Sequence, residues 1–532
     1  MEVKLTDCYT LSDGKALMSG TEALVRLLLE QSRIDRLNGL RTKGLVSGYP
    51  GSPLGGLDIA LGKAKAFLDE EGIHFQPAVN EELAATALWG SQHINLYDNP
   101  DIQGVFSMWY GKGPGLDRAM DALRHANQGG VAPHGGMVIA VGDDPTGKSS
   151  TLAYQSDQNF HSLGIPYFFP KNVSDIIPMG LEAFALSRYS GCCVGLKIVV
   201  DTADSNAVVD MSKLRPSLPI LKPNSLVHVT KHDPASVRES KLHDVRLPAV
   251  QTWCENSENV AQVYLPAKKG ETRLGIIGVG KIANEVNEAL AGLLPDRGKK
   301  NTVAFTAINM PWPLPEKKIS TMLSVVEEVL VIEEKRSFVE EQIAKICLKQ
   351  DRHILLSGKT NPDGANLLPS YGELSLENIL NVIAARASHH SIALNPIEKA
   401  PIVSPLSEIP IRQPYYCAGC PHNSSTKVSD DEIVGMGIGC HSISGFINPD
   451  TITNFTQMGG EGAFWIGRAP FSDRSHSFQN MGDGTYAHSG YLGVRAAVAA
   501  GVNITFKMLV NDAVAMTGGQ SAQGGSSPLS MS

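Results

Sequence analysis

The sequence predicts an α/β protein made of several doubly wound parallel-sheet domains. Short apolar stretches recur along it, each running into a Gly-rich turn and then a helical pattern, and this order of strand, turn and helix builds layered sheets. At roughly 150 residues per domain, the 532-residue chain has room for about three or four such units. Pro-rich stretches divide it into blocks, and no internal repeat is visible.

The first block runs from about Leu17 to Val237. Thr21 to Gln31 reads as an amphipathic helix with Thr21 as its cap. Gly44 to Ser47 reads as a strand entering the turn Gly48 to Pro53, with further strands at Gly104–Trp109, Met137–Val141 and Cys193–Val200. Such sheets bind ligands at the carboxyl ends of their strands. Arg215 to Val250 is Pro-rich and charged, and reads as an extended crossing segment. A second block opens with the strand Arg273–Val279, followed by a helix from Ile282 to Leu294 and strands at Val303–Ile308 and Val329–Ile332. The last block starts at Tyr415 and carries a helix, Gly490–Ala500, and a strand, Ile504–Val510. The expected boundaries are 1–237, a linker at 238–270, 271–393, a connector at 394–414, and 415–532. The tail Ser521 to Ser532 is small and polar, and the last sheet reads as unfinished.

Composition excludes whole classes. With 42% hydrophobic and 19% charged residues the chain is neither disordered, collagen-like nor coiled coil. A net charge of -8 argues against nucleic acid or an anionic membrane as partner. No apolar run approaches the roughly 18 to 20 residues that cross a bilayer. Met1 to Cys8 lacks the pattern of a secretory leader, so a cytoplasmic protein is expected. Eight cysteines do not make a disulfide scaffold, and closely spaced ones then point to a metal or cluster.

The strongest motif is Gly482-Asp483-Gly484, followed by a helix, a strand and then Asn511. That order returns Asn511 to the sheet edge that holds Asp483. A carboxylate, an amide oxygen and nearby carbonyls form a hard oxygen site for Mg²⁺, whose octahedron diphosphate oxygens and water complete. The glycines let the backbone approach phosphates. A plain Gly-Asp-Gly turn is the alternative. The pattern resembles the thiamin diphosphate fingerprint. That resemblance implies Asp483 and Asn511 as side-chain ligands of the metal and the Ala513 carbonyl as a third.

Cys417-Ala-Gly-Cys420, with Cys440 further on, places thiolates where they can share a metal. Three thiolates suit a [4Fe–4S] cluster with a distant fourth ligand. Zinc, with His422 or His441 nearby, and a redox dithiol remain alternatives. Near the N-terminus, Tyr49-Pro50-Gly51-Ser52-Pro53 is a rigid loop after a strand, and Asn80-Glu81-Glu82 precedes the helix Leu83–Gln92. Thiamin enzymes need a carboxylate on N1′ of the aminopyrimidine, and Glu81 fits that task. The bland alternative is an acidic first helical turn favoured by the macrodipole.

Two further motifs mislead. Gly142 to Ser149 matches the P-loop pattern, but Asp143 and Asp144 would face phosphates, and Pro145 removes a backbone donor. Gly278-Val-Gly280-Lys-Ile-Ala283 matches a dinucleotide fingerprint without the acidic strand end that should follow, although such a turn would suit another nucleotide, such as that of coenzyme A. Cys8, Cys192, Cys193, Cys254 and Cys347 read as small buried hydrophobes.

Taken together the motifs resemble the 2-oxoacid:ferredoxin oxidoreductases, and within them the indolepyruvate-type branch. The markers are Ser47 to Gly56, Asn80-Glu81, Gly111 to Arg118, Gly142 to Asp144 with Lys148 to Thr151, Val326 to Lys335, Tyr416 to His422, Gln457 to Gly462 and Gly482 to Gly484. They stand in family order from about Leu17 to Gln520 and most resemble the large fused bacterial form. The resemblance implies a pyrimidine-binding domain at 1–237, a middle Rossmann-like domain at 271–393 and a diphosphate-binding domain at 415–532. It implies Glu81 as the activating carboxylate and Ser52 as the hydroxyl near the substrate carboxylate. Tyr49 and Pro50 lie beside the cofactor in this reading, as do Gly482 and Gly484. Cys417, Cys420 and Cys440 match three cluster ligands.

The activity implied is oxidative decarboxylation of an aryl 2-oxoacid to an acyl-CoA, with ferredoxin as electron acceptor. Coenzyme A is then the co-substrate, and a homo-oligomer is expected. The family's fourth cluster cysteine has no counterpart after Gln520. The accessory γ-type part is also missing, so the chain reads as truncated. Two other readings stay open: a nonoxidative thiamin-dependent decarboxylase with zinc on its cysteines, and an inactive cofactor-binding fragment.

Overall fold

The computed structural model describes residues 4–525 apart from 99, 149, 151, 223, 266–272, 295–302, 351–352, 397–413, 448 and 512. Most of the connector at 394–414, the end of the linker at 266–270 and the tail beyond 525 therefore lie outside the described residues. The chain forms two compact units, 1–76 with 81–398, and 77–80 with 399–532.

The larger unit holds a six-stranded sheet in the order Ile73–Phe75, Thr42–Gly48, Gly104–Lys112, Met137–Asp143, Val194–Val199, Tyr167–Phe168. All its pairings are parallel. Every residue of Met137–Asp143 is buried, as a strand covered on both faces requires. The helix Gly20–Leu37 packs on this sheet. Its cap is Ser19, not Thr21: the Ser19 hydroxyl accepts the Glu22 N–H, and the Glu22 carboxylate accepts the Ser19 N–H. Both thus satisfy N–H groups that a helix start leaves unpaired. Gly20 is required beside that cap, because a Cβ there would sit 2.1 Å from the Thr202 carbonyl oxygen.

A five-stranded sheet follows in the order Leu355–Ser357, Glu328–Ile332, Leu274–Val279, Val303–Ile308, Ala261–Tyr264, with only the last antiparallel. Leu274, Ile276 and Leu330 build its core with Val286 and Leu290 of the helix Lys281–Leu293 and Ile379 and Ile383 of the helix Leu376–His389. This middle layer belongs to the same compact unit as the first.

The expected linker at 238–270 is corrected. Lys241–Arg246 is a π turn that leads into the helix Leu247–Asn256, and Ala261–Tyr264 is a strand. Pro248 sits in the first helical turn, where no N–H is needed. Arg246 is fully buried and donates to the carbonyls of Asn127, Gln128 and Gly129 at 3.1, 2.8 and 3.1 Å. It therefore caps the C-terminus of the helix Gly113–Gly129. Its charge is a buried structural bolt.

Glu328 is also fully buried. It accepts Arg386 on both oxygens at 2.7 Å, His390 at 2.7 Å and Ser357 at 2.5 Å. With His389 nearby this cluster has the makings of a metal site, but the carboxylate lone pairs are already taken. Arg386→Ala would strand the Glu328 charge. Urea unfolding is expected to show a loss of about 3–5 kcal/mol, and a loss below about 1 kcal/mol would contradict this account of the pair.

The smaller unit holds a four-stranded sheet in the order Ile452–Phe455, Val434–Met436, Ser477–Gly482, Ile504–Leu509, all parallel. The helix Tyr491–Ala500 links its last two strands, as the sequence predicts. Among the described residues no helix is long and apolar enough to cross a membrane.

Candidate active site

In the larger unit the strands Thr42–Gly48 and Gly104–Lys112 end side by side, Gly48 paired with Tyr110. A Cβ on Gly48 would lie 2.1 Å from the Tyr110 carbonyl oxygen, so only glycine lets the chain turn here. The Tyr49 N–H then bonds to that carbonyl at 3.2 Å, fixing the start of the Tyr49–Pro53 loop. Tyr49 is buried, and burial together with the Glu81 and Asp58 carboxylates pushes its phenol up. Pro50 and Ser52 are half-buried. Burial pushes the Asp58 carboxyl up to about 6.

Glu81 opens the helix Glu81–Ser91 and is 4% exposed. Its backbone carbonyl accepts the Trp109 indole N–H at 3.0 Å. Its carboxylate lies against Gly115, where a Cβ would meet Oε1 at 2.9 Å. An acidic residue placed only for the macrodipole would face water, and this one does not. Lys112 shares the centre and was not singled out from sequence. Its stem passes Gly51, where a Cβ would meet Cδ at 2.9 Å. Burial pulls its ammonium down, and the Glu81 charge pulls it back up. The available signal was a lysine between two glycines at a strand's carboxyl end. The structure therefore gathers Tyr49, Asp58, Glu81 and Lys112 around the Ser52 loop.

In the smaller unit the Gly482-Asp483-Gly484 turn leaves the carboxyl end of Ser477–Gly482, with Gly482 paired to Leu509 on the next strand. That register brings Asn511 beside Asp483. Asp483 is 5% exposed, its Oδ1 accepts the Gly484 N–H at 2.9 Å, and its Oδ2 accepts the Asn511 N–H at 2.9 Å. Asn511 Oδ1 in turn accepts the Ala513 N–H at 3.2 Å. In front of the turn there is room: a Cβ on Gly482 would meet only His441 Nδ1 at 3.9 Å, and one on Gly484 only Val514 at 3.5 Å. A buried carboxylate, an amide oxygen and two open glycines fit a magnesium-bound diphosphate.

The cysteine loop lies in this unit. Cys417 is exposed, and Cys420 and Cys440 are half-buried. Burial and the neighbouring Cys420 and Cys417 thiols push the Cys440 thiol up. Cys420 Sγ lies 3.1 Å from His422 Nδ1. His441 is buried, which pulls its imidazole down to about 4, with His422 adding to the shift.

The loop at 142–149 does not form a phosphate cradle. Asp144 Oδ1 accepts the N–H groups of Thr146 and Gly147 at 3.3 and 2.9 Å, and Oδ2 accepts that of Ser150 at 3.0 Å. The loop's own carboxylate takes the donors that a phosphate would need. At Gly280, Lys281 opens the helix and pairs with Asp201 and with Glu373, the latter at 2.7 Å. Cys8, Cys192, Cys193 and Cys254 are buried and Cys347 is partly so.

Residues 266–401 match a family model described as an indolepyruvate oxidoreductase domain. The chain is 27% identical over 534 residues to the indolepyruvate oxidoreductase subunit IorA of Methanothermobacter marburgensis, covering 97% of this chain and 78% of that protein. It is 24% identical over 550 residues to the subunit of the same name from Pyrococcus horikoshii, with the same coverage of 97% and 78%. Among solved structures, 2-oxoglutarate:ferredoxin oxidoreductase from Magnetococcus marinus overlays with a TM-score of 0.47 at 17% identity, covering 70% of this chain and 65% of that one.

Proposed function

The chain is homologous to the indolepyruvate oxidoreductase subunit IorA, an enzyme subunit, over 97% of its length, and on that premise we propose that it catalyses oxidative decarboxylation of an aryl 2-oxoacid using thiamin diphosphate. The observation that carries the reading is the Asp483–Asn511 hydrogen bond at the open Gly482-Asp483-Gly484 turn. In the balanced reaction the 2-oxoacid loses CO₂ and its acyl carbon is joined to the sulfur of coenzyme A. Two electrons leave one at a time for ferredoxin, and a proton is released.

When bound, thiamin diphosphate supplies an electron sink for the carbon that loses CO₂, and an iron–sulfur cluster supplies a one-electron outlet. Asp483, Asn511 and the Ala513 carbonyl would hold Mg²⁺, and Gly482 and Gly484 would admit the diphosphate. Glu81 would hold the proton shared with N1′ of a bound aminopyrimidine. Tyr49 and Pro50 shape the loop that presents Ser52, and the Ser52 hydroxyl and the Lys112 ammonium receive the substrate carboxylate. Cys417, Cys420 and Cys440 would bind the cluster. Ferredoxin and a γ-type subunit are the proposed protein partners, and the catalytic unit is a homo-oligomer.

The test is anaerobic purification with analysis of iron, sulfide, zinc and thiamin, followed by ferredoxin reduction assays over several 2-oxoacids with and without a γ-type protein. Iron and sulfide in equal amounts, and reduction fastest with aryl 2-oxoacids, are expected. Zinc without sulfide would favour a nonoxidative decarboxylase. Cofactor binding without turnover, even with the added protein, would reduce the chain to a binding subunit.

A further inference from the structure

A cavity of about 580 Å³ in the larger unit is lined by none of the residues assigned to this reaction. Its wall includes residues 312–314, which follow the strand Val303–Ile308, and 336–338, which follow Glu328–Ile332. It therefore sits at the carboxyl ends of parallel strands, where open α/β sheets take their ligands. Its size is that of a small-molecule pocket, about 300–1,000 Å³.

One side of the cavity is aromatic. His161 stands edge-on to Trp312 at 5.2 Å between centroids and to Phe338 at 6.0 Å. The Trp312 carbonyl is fixed by the Tyr167 N–H at 3.2 Å. The other side is the 333–340 turn, and it is clamped from several directions. Glu333 accepts the N–H groups of Phe338, Val339 and Glu340 at 3.0, 2.9 and 2.9 Å. The Gln155 side chain bonds both the N–H and the carbonyl of Arg336 at 3.2 Å. Lys335 is held at φ 61, in the left-handed region, while its Nζ donates to the Pro145 carbonyl at 2.5 Å. Such strain persists only where surrounding contacts impose it, and here they hold Arg336 at the cavity.

The charges are uneven. Of the two carboxylates in the wall, Glu316 is paired with Lys349 at 2.7 Å and Glu341 accepts the Ser337 hydroxyl at 3.0 Å. Arg336 and Lys345 also line the wall, and among the described residues neither forms an ion pair. Gln158 Oε1 is buried in the same wall without a donor among the described residues. An orphaned acceptor is costly unless a ligand supplies an N–H.

We propose that this cavity binds a planar aromatic anion, with its ring against Trp312 and His161, its anionic group on Arg336 and Lys345, and a ring N–H or amine on Gln158 Oε1. An aryl carboxylate and a nucleoside monophosphate share that chemistry. The test titrates the purified full chain, without thiamin diphosphate, with indole-3-acetate in one arm and AMP in the other, and with inorganic phosphate as the third. Saturable tryptophan quenching by one of the two aromatic probes is expected. It should weaken at least tenfold in Arg336→Ala and Gln158→Leu and lose most of its amplitude in Trp312→Phe. All three variants should take up thiamin diphosphate as the parent chain does. No saturation with either probe, unchanged affinity in the variants, or phosphate binding as tightly as the aromatic probe would each overturn the proposal. Because the readout needs neither cofactor nor turnover, it fails or succeeds separately from the proposed function.

Discussion

Asp483→Ala is expected to weaken uptake of thiamin diphosphate with Mg²⁺ by about 100-fold or more, roughly 3 kcal/mol, as read by isothermal titration. The carboxylate is 5% exposed and is the only charged group in the fingerprint Gly482–Gly484 with Asn511. Removing it would take away the proposed anionic ligand of the cation and also the acceptor that fixes the Asn511 N–H at 2.9 Å. The second loss lets the amide ligand wander, so Asp483→Asn, which keeps an acceptor but no charge, should be less impaired than the alanine variant. Thermal unfolding separates a lost site from a lost fold. Wild-type affinity in a folded Asp483→Ala chain would refute the assignment of this turn to the diphosphate.

Glu81→Gln is expected to lower turnover by about 10²–10⁴-fold, the usual worth of a positioned acid–base group, while leaving thiamin diphosphate affinity within about threefold of the parent, or about 0.7 kcal/mol. Glutamine has nearly the same shape, and the contact that anchors this helix start, Trp109 Nε1 to the Glu81 carbonyl at 3.0 Å, uses only the backbone of residue 81. What changes is the ability to share a proton with N1′. Hydrogen–deuterium exchange at the cofactor C2, followed by NMR, reads that step directly. Exchange at the parent rate would remove Glu81 from its proposed role and leave it an acidic first-turn residue.

How much of this was legible in the sequence depended on how local the cause was. The strands Met137–Asp143, Val303–Ile308 and Ile504–Leu509 were readable because each is a short apolar run bounded by turn residues. Asp483 and Asn511 were readable as a pair because strand, helix and strand in order must bring the two carboxyl ends together. Lys112 was not readable as part of a centre, since its neighbours Gly51 and Glu81 lie far away in the chain. The role of Arg246 is not readable for the same reason: nothing local shows that its guanidinium reaches the last carbonyls of a helix more than a hundred residues earlier. The acidic residues of the P-loop match argue against it from sequence, but only the fold shows how Asp144 captures the loop's amides.

The amino-acid order by itself determined the layered α/β architecture and the Gly482–Asn511 fingerprint, because periodicity, turn chemistry and strand order are properties of contiguous chain. It also determined that the cysteines of 417–440 lie close enough in sequence to share a loop region. Only the tertiary structure decided which charges are buried and paired, that the 241–256 segment is packed helix and not linker, and which side chains meet at the Ser52 loop. Burial and pairing are made by residues distant in sequence, and desolvation sets their energies only once the fold has placed them.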